Sequence, residues 1–380
     1  MPKIATSLNA TAISSLTVSI RNPACRCLIA SSACAIVGPS RLKKAIGASR
    51  RTLAPVVGDA LQRTLPRSFV RALNVPCKLR TSRVSCAFAL LIAAQTAFAG
   101  TVDLSSPTLR KIAENNTIVL GVRESSVPFS YLDANGRPVG YSQAIALKIV
   151  DEVRLRLQTP RLAVSTVVLT SANRLSYVVN HQIDLECGST AHIRDREQLV
   201  SISNSFFSYG IRMVVKRKSG IRNYADLAGK TVSTTAGTSD EQLLRELSLN
   251  RKLDLRIISA KDHAEAFDAV KTGRAVAFVM DDPLLYGKIA QEGPAQNEYI
   301  VTGDPLAHES YACMMRKGDP VFKKLADDVI AGMERSGEAE KLYDQWFMQA
   351  IPPDNINLRF PLSPEMRALF ANPNDQASDN

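Results

Sequence analysis

TIVLGVRESSVPFSYLDANGRPVGYSQAIALKIVDEVRLRLQTPRLAVSTVVL, residues 117–169, holds one full alternation of extended and helical chain. Residues 117–122 form an apolar run of strand length. Residues 129–141 carry Asn135-Gly136 between apolar flanks, a hairpin signal because both residue types tolerate positive φ. Residues 142–157 place Ile145, Ile149 and Val153 on one helical face, and residues 162–169 return to a β-branched run. A strand, a helix and a second strand in this order make a parallel βαβ unit, since parallel neighbours need a long crossover.

The alternation continues outward. Strand-like runs recur at 183–187, 210–215, 231–234, 255–259 and 275–280, each separated from the next by a helical stretch or a connection. Two helices are expected at 321–335 and 338–347, before a Pro-rich, polar tail. The expected class is α/β, with mostly parallel sheets flanked by helices.

At 380 residues, with 45% hydrophobic and 22% charged residues, the chain can bury two cores, and wholesale disorder is excluded. The net charge of +11 lies in the leader. Residues 1–99 hold 14 Lys and Arg against Asp59 as the one acid, whereas residues 100–380 hold 33 basic and 35 acidic residues. Polyphosphate affinity needs basic residues concentrated on a folded surface, so no nucleic-acid partner is expected. Lys78, Arg80 and Arg83 precede the uncharged run 84–94, which leads to Ala97-Phe98-Ala99. That is the order of a secretory signal, with cleavage expected near Ala99, and the run is too short to span a bilayer. Residues 1–77 are a basic, acid-poor extension expected to be absent from the mature protein, either a transit segment or sequence upstream of the true start. Of seven cysteines only Cys187 and Cys313 follow residue 100, and no metal-ligand spacing is present, so neither metal nor cofactor is expected. The pair is either a disulfide or two buried thiols.

In doubly wound sheets ligands lie beyond the carboxyl ends of strands. The residues there are Arg123-Glu124, Ser171 with Arg174, Ser189-Thr190 with Arg194 and Arg196, Gly237-Thr238-Ser239, Asp262-His263 and Asp281-Asp282. Arginines suit carboxylates, hydroxyls are neutral donors, and an acid can hold an ammonium. A zwitterion with an additional carboxylate fits this set. Individually each residue has a plainer role; Ser239, for example, could be a helix N-cap beside Thr238.

GVRESSVPFSY (121–131), VGYSQ (139–143), TSANR (170–174), DLECGST (184–190), IISAKDH (257–263), GRAVAFVMDD (273–282), SGEAEKLYDQWF (336–347) and IPPDNINLRF (351–360) closely resemble the glutamate/aspartate-binding proteins of amino-acid ABC transporters. Those belong to solute-binding protein family 3, within the type II periplasmic binding protein superfamily. The likeness runs from about residue 107 to 376. It implies a two-lobed α/β fold with two hinge crossings: lobe 1 at 100–209 and 308–380, lobe 2 at 210–307. It further implies that Ser189 and Arg196, helped by Ser239, hold the ligand α-carboxylate. Asp281 receives the α-ammonium, and Arg123, Ser171, Arg174 and His263 hold the side-chain carboxylate. One position departs: Ala191 stands where the family commonly has a hydroxyl. The implied partners are L-glutamate or L-aspartate and the membrane permease subunits of an importer, with the protein monomeric and periplasmic. Two alternatives compete. An enzyme on this scaffold, such as a dehydratase or lytic transglycosylase relative, would use Glu124 or Glu186 as its acid. A sensory module would need a transmembrane helix after the lobes.

Overall fold

The computed structural model describes residues 105–378. The expected signal segment and the basic extension lie outside them. The first half contains α1 (Pro107–Asn115), β1 (Thr117–Arg123), β2 (Ser125–Ser126), β3 (Ser130–Leu132), β4 (Pro138–Val139), α2 (Tyr141–Leu157), β5 (Ala163–Leu169), α3 (Arg174–Val179), β6 (Leu185–Glu186), α4 (Arg194–Glu197) and β7 (Val200–Lys216). There follow β8 (Thr231–Thr235), α5 (Ser239–Asn250), β9 (Arg256–Ala260), α6 (His263–Lys271), β10 (Ala277–Asp281), α7 (Asp282–Gln291), β11 (Tyr299–Thr302), β12 (His308–Arg316), α8 (Pro320–Ser336), α9 (Glu338–Tyr343) and α10 (Pro364–Ala371).

The sheet order is β5-β1-β6-β12-β7-β10-β8-β9, with β11 also on β7. The opening βαβ unit forms: β1 and β5 pair in parallel along seven residues, from Thr117↔Ala163 to Arg123↔Leu169. Asp133 N donates to Arg137 O and Gly136, at φ +73°, turns the chain between β3 and β4. Two parallel runs result, β5-β1-β6 and β10-β8-β9. The strands between them are antiparallel, which the apolar runs did not show. The run expected at 210–215 is the last third of a 17-residue strand. Up to Gly210, β7 pairs with β12; from Ile211 it pairs with β10 and, on its other edge, β11. The two crossing segments also bond to each other where the partners change, through Ile211 N to Ala307 O and Leu306 N to Ile211 O.

Alternation of apolar side chains puts Ile118, Leu120 and Val122 of β1 under α2, whose Ile145, Ile149 and Val153 are fully covered as their spacing demands. Beside this layer an aromatic cluster packs edge-to-face and stacked: Phe129, Tyr141, Phe207, Tyr311, Tyr343 and Phe347. Among the described residues no helix is long and apolar enough to cross a membrane.

Candidate functional site

The topology brings the polar strand ends together. Arg123 ends β1, Ser171 and Arg174 follow β5, and Ser189 and Arg196 follow β6. Ser239 opens the helix after β8, His263 the helix after β9, and Asp281 ends β10. All eight are buried, which is unusual for arginines, serines and an acid unless they face one another or a ligand.

One end is cationic. Arg123 Nε donates to the Leu169 carbonyl at 3.1 Å and Nη2 to Ser171 Oγ at 2.7 Å, while Nη1 is buried with no hydrogen-bond partner among the described residues. Burial and the neighbouring Arg174 pull the Arg123 pKa down to about 9. Arg174 Nη1 donates to Ser189 O at 2.6 Å and to Thr190 Oγ1 at 2.5 Å. Thr190 in turn donates to Glu186 Oε2 at 2.7 Å. His263 Nδ1 pairs with Thr235 Oγ1 at 2.8 Å, and its Nε2 is buried without a partner among the described residues. Burial, then Arg123, Lys288 and Arg174, hold the imidazole well below its usual pKa, so the ring is neutral. In the tautomer that accepts from Thr235 at Nδ1, Nε2 carries the proton and can donate.

The middle of the site is the loop from Gly188 to Ile193. It runs along β12, with Ala312 N donating to Thr190 O and His192 N to Ser310 O. Arg196 Nη1 folds back to donate to Ala191 O at 2.7 Å, and burial with Arg174 nearby brings Arg196 to about 10. Cys187, where this loop leaves β6, is joined to Cys313 of β12 by a disulfide, S–S 2.10 Å.

The other end is anionic. Asp281 Oδ2 accepts from the Tyr311 hydroxyl, and Oδ1 is buried without a partner among the described residues. Burial, then Asp240 and Glu309, push the Asp281 carboxyl well above the usual range. Ser239 is not the helix N-cap; Thr238 is, accepting from Glu241 N. The Ser239 hydroxyl donates instead to Glu309 Oε2 at 2.8 Å, the oxygen that also accepts from Tyr209.

Thr190, Asp240, Glu309 and Tyr311 belong to this cluster and were not singled out as site residues from the sequence. Asp240 was signalled by following Ser239 directly in the first helical turn, and Thr190 by following Ser189. Glu309 and Tyr311 lie in a strand whose existence had not been read, and their side chains carried no signal.

The cleft is closed. Gly237, at φ +76°, abuts Ala172 so tightly that a Cβ would lie 2.6 Å from the Ala172 Cα. A Cβ on Gly287 of α7 would lie 2.3 Å from the Val127 carbonyl oxygen. Both contacts join the segment 210–307 to the segment before it.

Two α/β lobes threaded by a shared long strand, with charged strand ends facing across the junction, are the architecture of a cleft-binding protein. The chain belongs to the bacterial extracellular solute-binding proteins, family 3, matching that family over residues 118–349. It is 45% identical over 278 residues to the L-glutamate/L-aspartate-binding protein of Pseudomonas aeruginosa, covering 73% of this chain and 92% of that one. It is 46% identical over 295 residues to the glutamate/aspartate import solute-binding protein of Escherichia coli (strain K12), covering 77% and 97%. The solute receptor for L-cysteine of Neisseria gonorrhoeae superposes with a TM-score of 0.55 at 24% identity, over 63% of this chain and 93% of that one, a likeness that shows the fold.

Proposed function

We propose that the protein captures L-glutamate or L-aspartate between a lobe formed by residues 100–209 and 308–380 and a lobe formed by residues 210–307. It delivers the amino acid to the permease subunits of an ABC importer, acting as a periplasmic monomer released by cleavage near Ala99. The observation that carries this reading is a set of buried atoms with unused bonding capacity. Among the described residues, Arg123 Nη1 and His263 Nε2 remain unpaired at one end and Asp281 Oδ1 at the other. Orphaned buried polar atoms cost about 1–3 kcal/mol each, so such a set is stable only as a place for complementary groups. A carboxylate satisfies the first end and an ammonium the second. Arg196 and Ser189 lie between them for the α-carboxylate, and Ser239 joins them by turning its hydroxyl away from Glu309.

Closure couples binding to transport. The amino acid touches lobe 1 through Arg123, Ser171, Arg174, Ser189 and Arg196, and lobe 2 through Ser239, His263 and Asp281. Only the closed form makes both sets of contacts, so the ligand shifts the population toward it. Charged hydrogen bonds contribute roughly 1.5–3 kcal/mol each, and a few of them suffice. Binding rather than catalysis is supported by the acids: Glu124 is exposed, and Glu186 is held by Thr190 in a fully buried site, so neither is a poised general acid.

The test is calorimetric titration of the purified protein with L-glutamate, L-aspartate, L-glutamine and L-asparagine, repeated with Arg174→Ala. The acidic pair should bind and the amides should not, because an amide leaves the buried Arg123 without a counter-ion. Arg174→Ala should lose glutamate binding with its fold intact. Equal affinity for glutamine and glutamate would defeat the assignment.

A further inference from the structure

The ammonium end holds more negative charge than one ammonium needs. Asp240, in the first turn of α5, is 1% exposed, and its Oδ1 has no hydrogen-bond partner among the described residues. The helix packs on β10, where Asp281 is buried too, its own Oδ1 unpartnered among the described residues, and each carboxyl bears on the other's charge. Glu309 of β12 is the third buried carboxylate. The other titratable groups facing them are Tyr209 from β7, Tyr311 from β12, Tyr224 from the turn after β7, and Asp282 beside Asp281. Among the described residues, cations flank the cluster: Arg196 lies toward Glu309 and Arg212 toward Asp282 and Tyr224.

Two interacting carboxyls in a dry pocket do not both ionise, and one proton stays between them. We propose that Asp240 is a second carboxylate of the ammonium site, and that the α-ammonium of the incoming amino acid displaces a proton shared by Asp240 and Asp281. The charge balances: the ammonium keeps its three protons, the shared O–H breaks, its proton passes to solvent, and the carboxylate left behind pairs with the ammonium. Burial and Glu309 set the Asp240 carboxyl at about 7 in the empty cleft, so release falls in the physiological range. This rests on the reading of the cleft as an amino-acid site.

The test is titration of L-glutamate into the full protein at pH 7 in two buffers of different ionisation heat, phosphate and Tris, with affinities measured from pH 6 to 8. About half a proton should be released per ligand at pH 7, rising toward one at pH 6, where affinity should climb by nearly tenfold per pH unit. Asp240→Asn and Asp240→Ser should still bind, with almost no proton released at either pH and a flattened pH profile. Asp282→Asn, which removes the neighbouring carboxyl raised to about 6, should leave the release intact. Buffer-independent heats in the unsubstituted protein, or an unchanged slope in both Asp240 variants, would overturn the proposal while leaving the ligand assignment standing. Failure of every amino acid to bind would overturn both.

Discussion

Gly287 and Val127 meet so closely across the cleft that the glycine has room for nothing larger than hydrogen; a Cβ would fall 2.3 Å from the valine carbonyl oxygen. Gly287 lies inside α7, where no positive φ demands glycine. An alanine there favours the helix by roughly 0.5–1 kcal/mol, yet it obstructs the closed form, at an overpacking cost of roughly 1–3 kcal/mol. Gly287→Ala should therefore weaken glutamate binding roughly ten- to a hundredfold while the empty protein melts at an equal or higher temperature. Calorimetry and thermal unfolding on the same sample check this, and an unchanged affinity would show that α7 does not approach the first lobe on binding.

Glu334 of α8 is 5% exposed with neither carboxyl oxygen hydrogen-bonded among the described residues, and burial raises its pKa from 4.5 to about 8. The folded value lies above the unfolded one. The unfolded chain thus releases the proton first, and stability present below pH 4.5 is lost as pH climbs toward about 8. The slope from such a group approaches about 1.4 kcal/mol per pH unit. Glu334→Gln should unfold in urea at nearly the same midpoint as the unsubstituted protein at pH 4.5 and at a clearly higher one at pH 8. Parallel pH profiles for the two proteins would refute it.

The Cys187–Cys313 bond closes a loop with a sequence separation of 126 residues. In the chain-entropy description a cross-link of that span stabilises the fold by about 5 kcal/mol, and measured bonds more often by about 2–4. Reduction, or the double change of both cysteines to serine, should lower the urea midpoint correspondingly. Since the bond sits where the Ser189 loop leaves β6, glutamate affinity should fall with it. Equal stability with and without reductant would place the thiols outside this role.

The parallel runs were legible from short segments rich in apolar or β-branched residues, such as 117–122, 231–234 and 255–259, each alternating with a helical stretch. The six polar strand ends were legible because each follows such a segment. The crossing strands were not: β12 mixes His308, Glu309 and Ser310 with Tyr311 and Cys313, and half of β7 is interrupted by serines. Those polar positions are satisfied only by tertiary partners, Glu309 by Tyr209 and Ser239, and Ser205 by Ser310. No local pattern encodes such a pairing. The anionic end of the cleft was half read for this reason: Asp281 ends a continuous apolar strand, whereas Glu309 and Tyr311 arrive on the unread one.

The change of partners along β7 at Gly210 and Ile211 has a mechanical consequence. Each half of that ribbon is laced to its own neighbours, so the molecule can flex about the paired crossing segments at Ile211 and Leu306-Ala307 while the ladders on either side stay zipped. Swinging apart then breaks contacts in the cleft, not backbone bonds. The energy that holds the jaws shut is thus set by the cargo and the surfaces it bridges, which lets the same hinge serve both for tight capture and for prompt unloading.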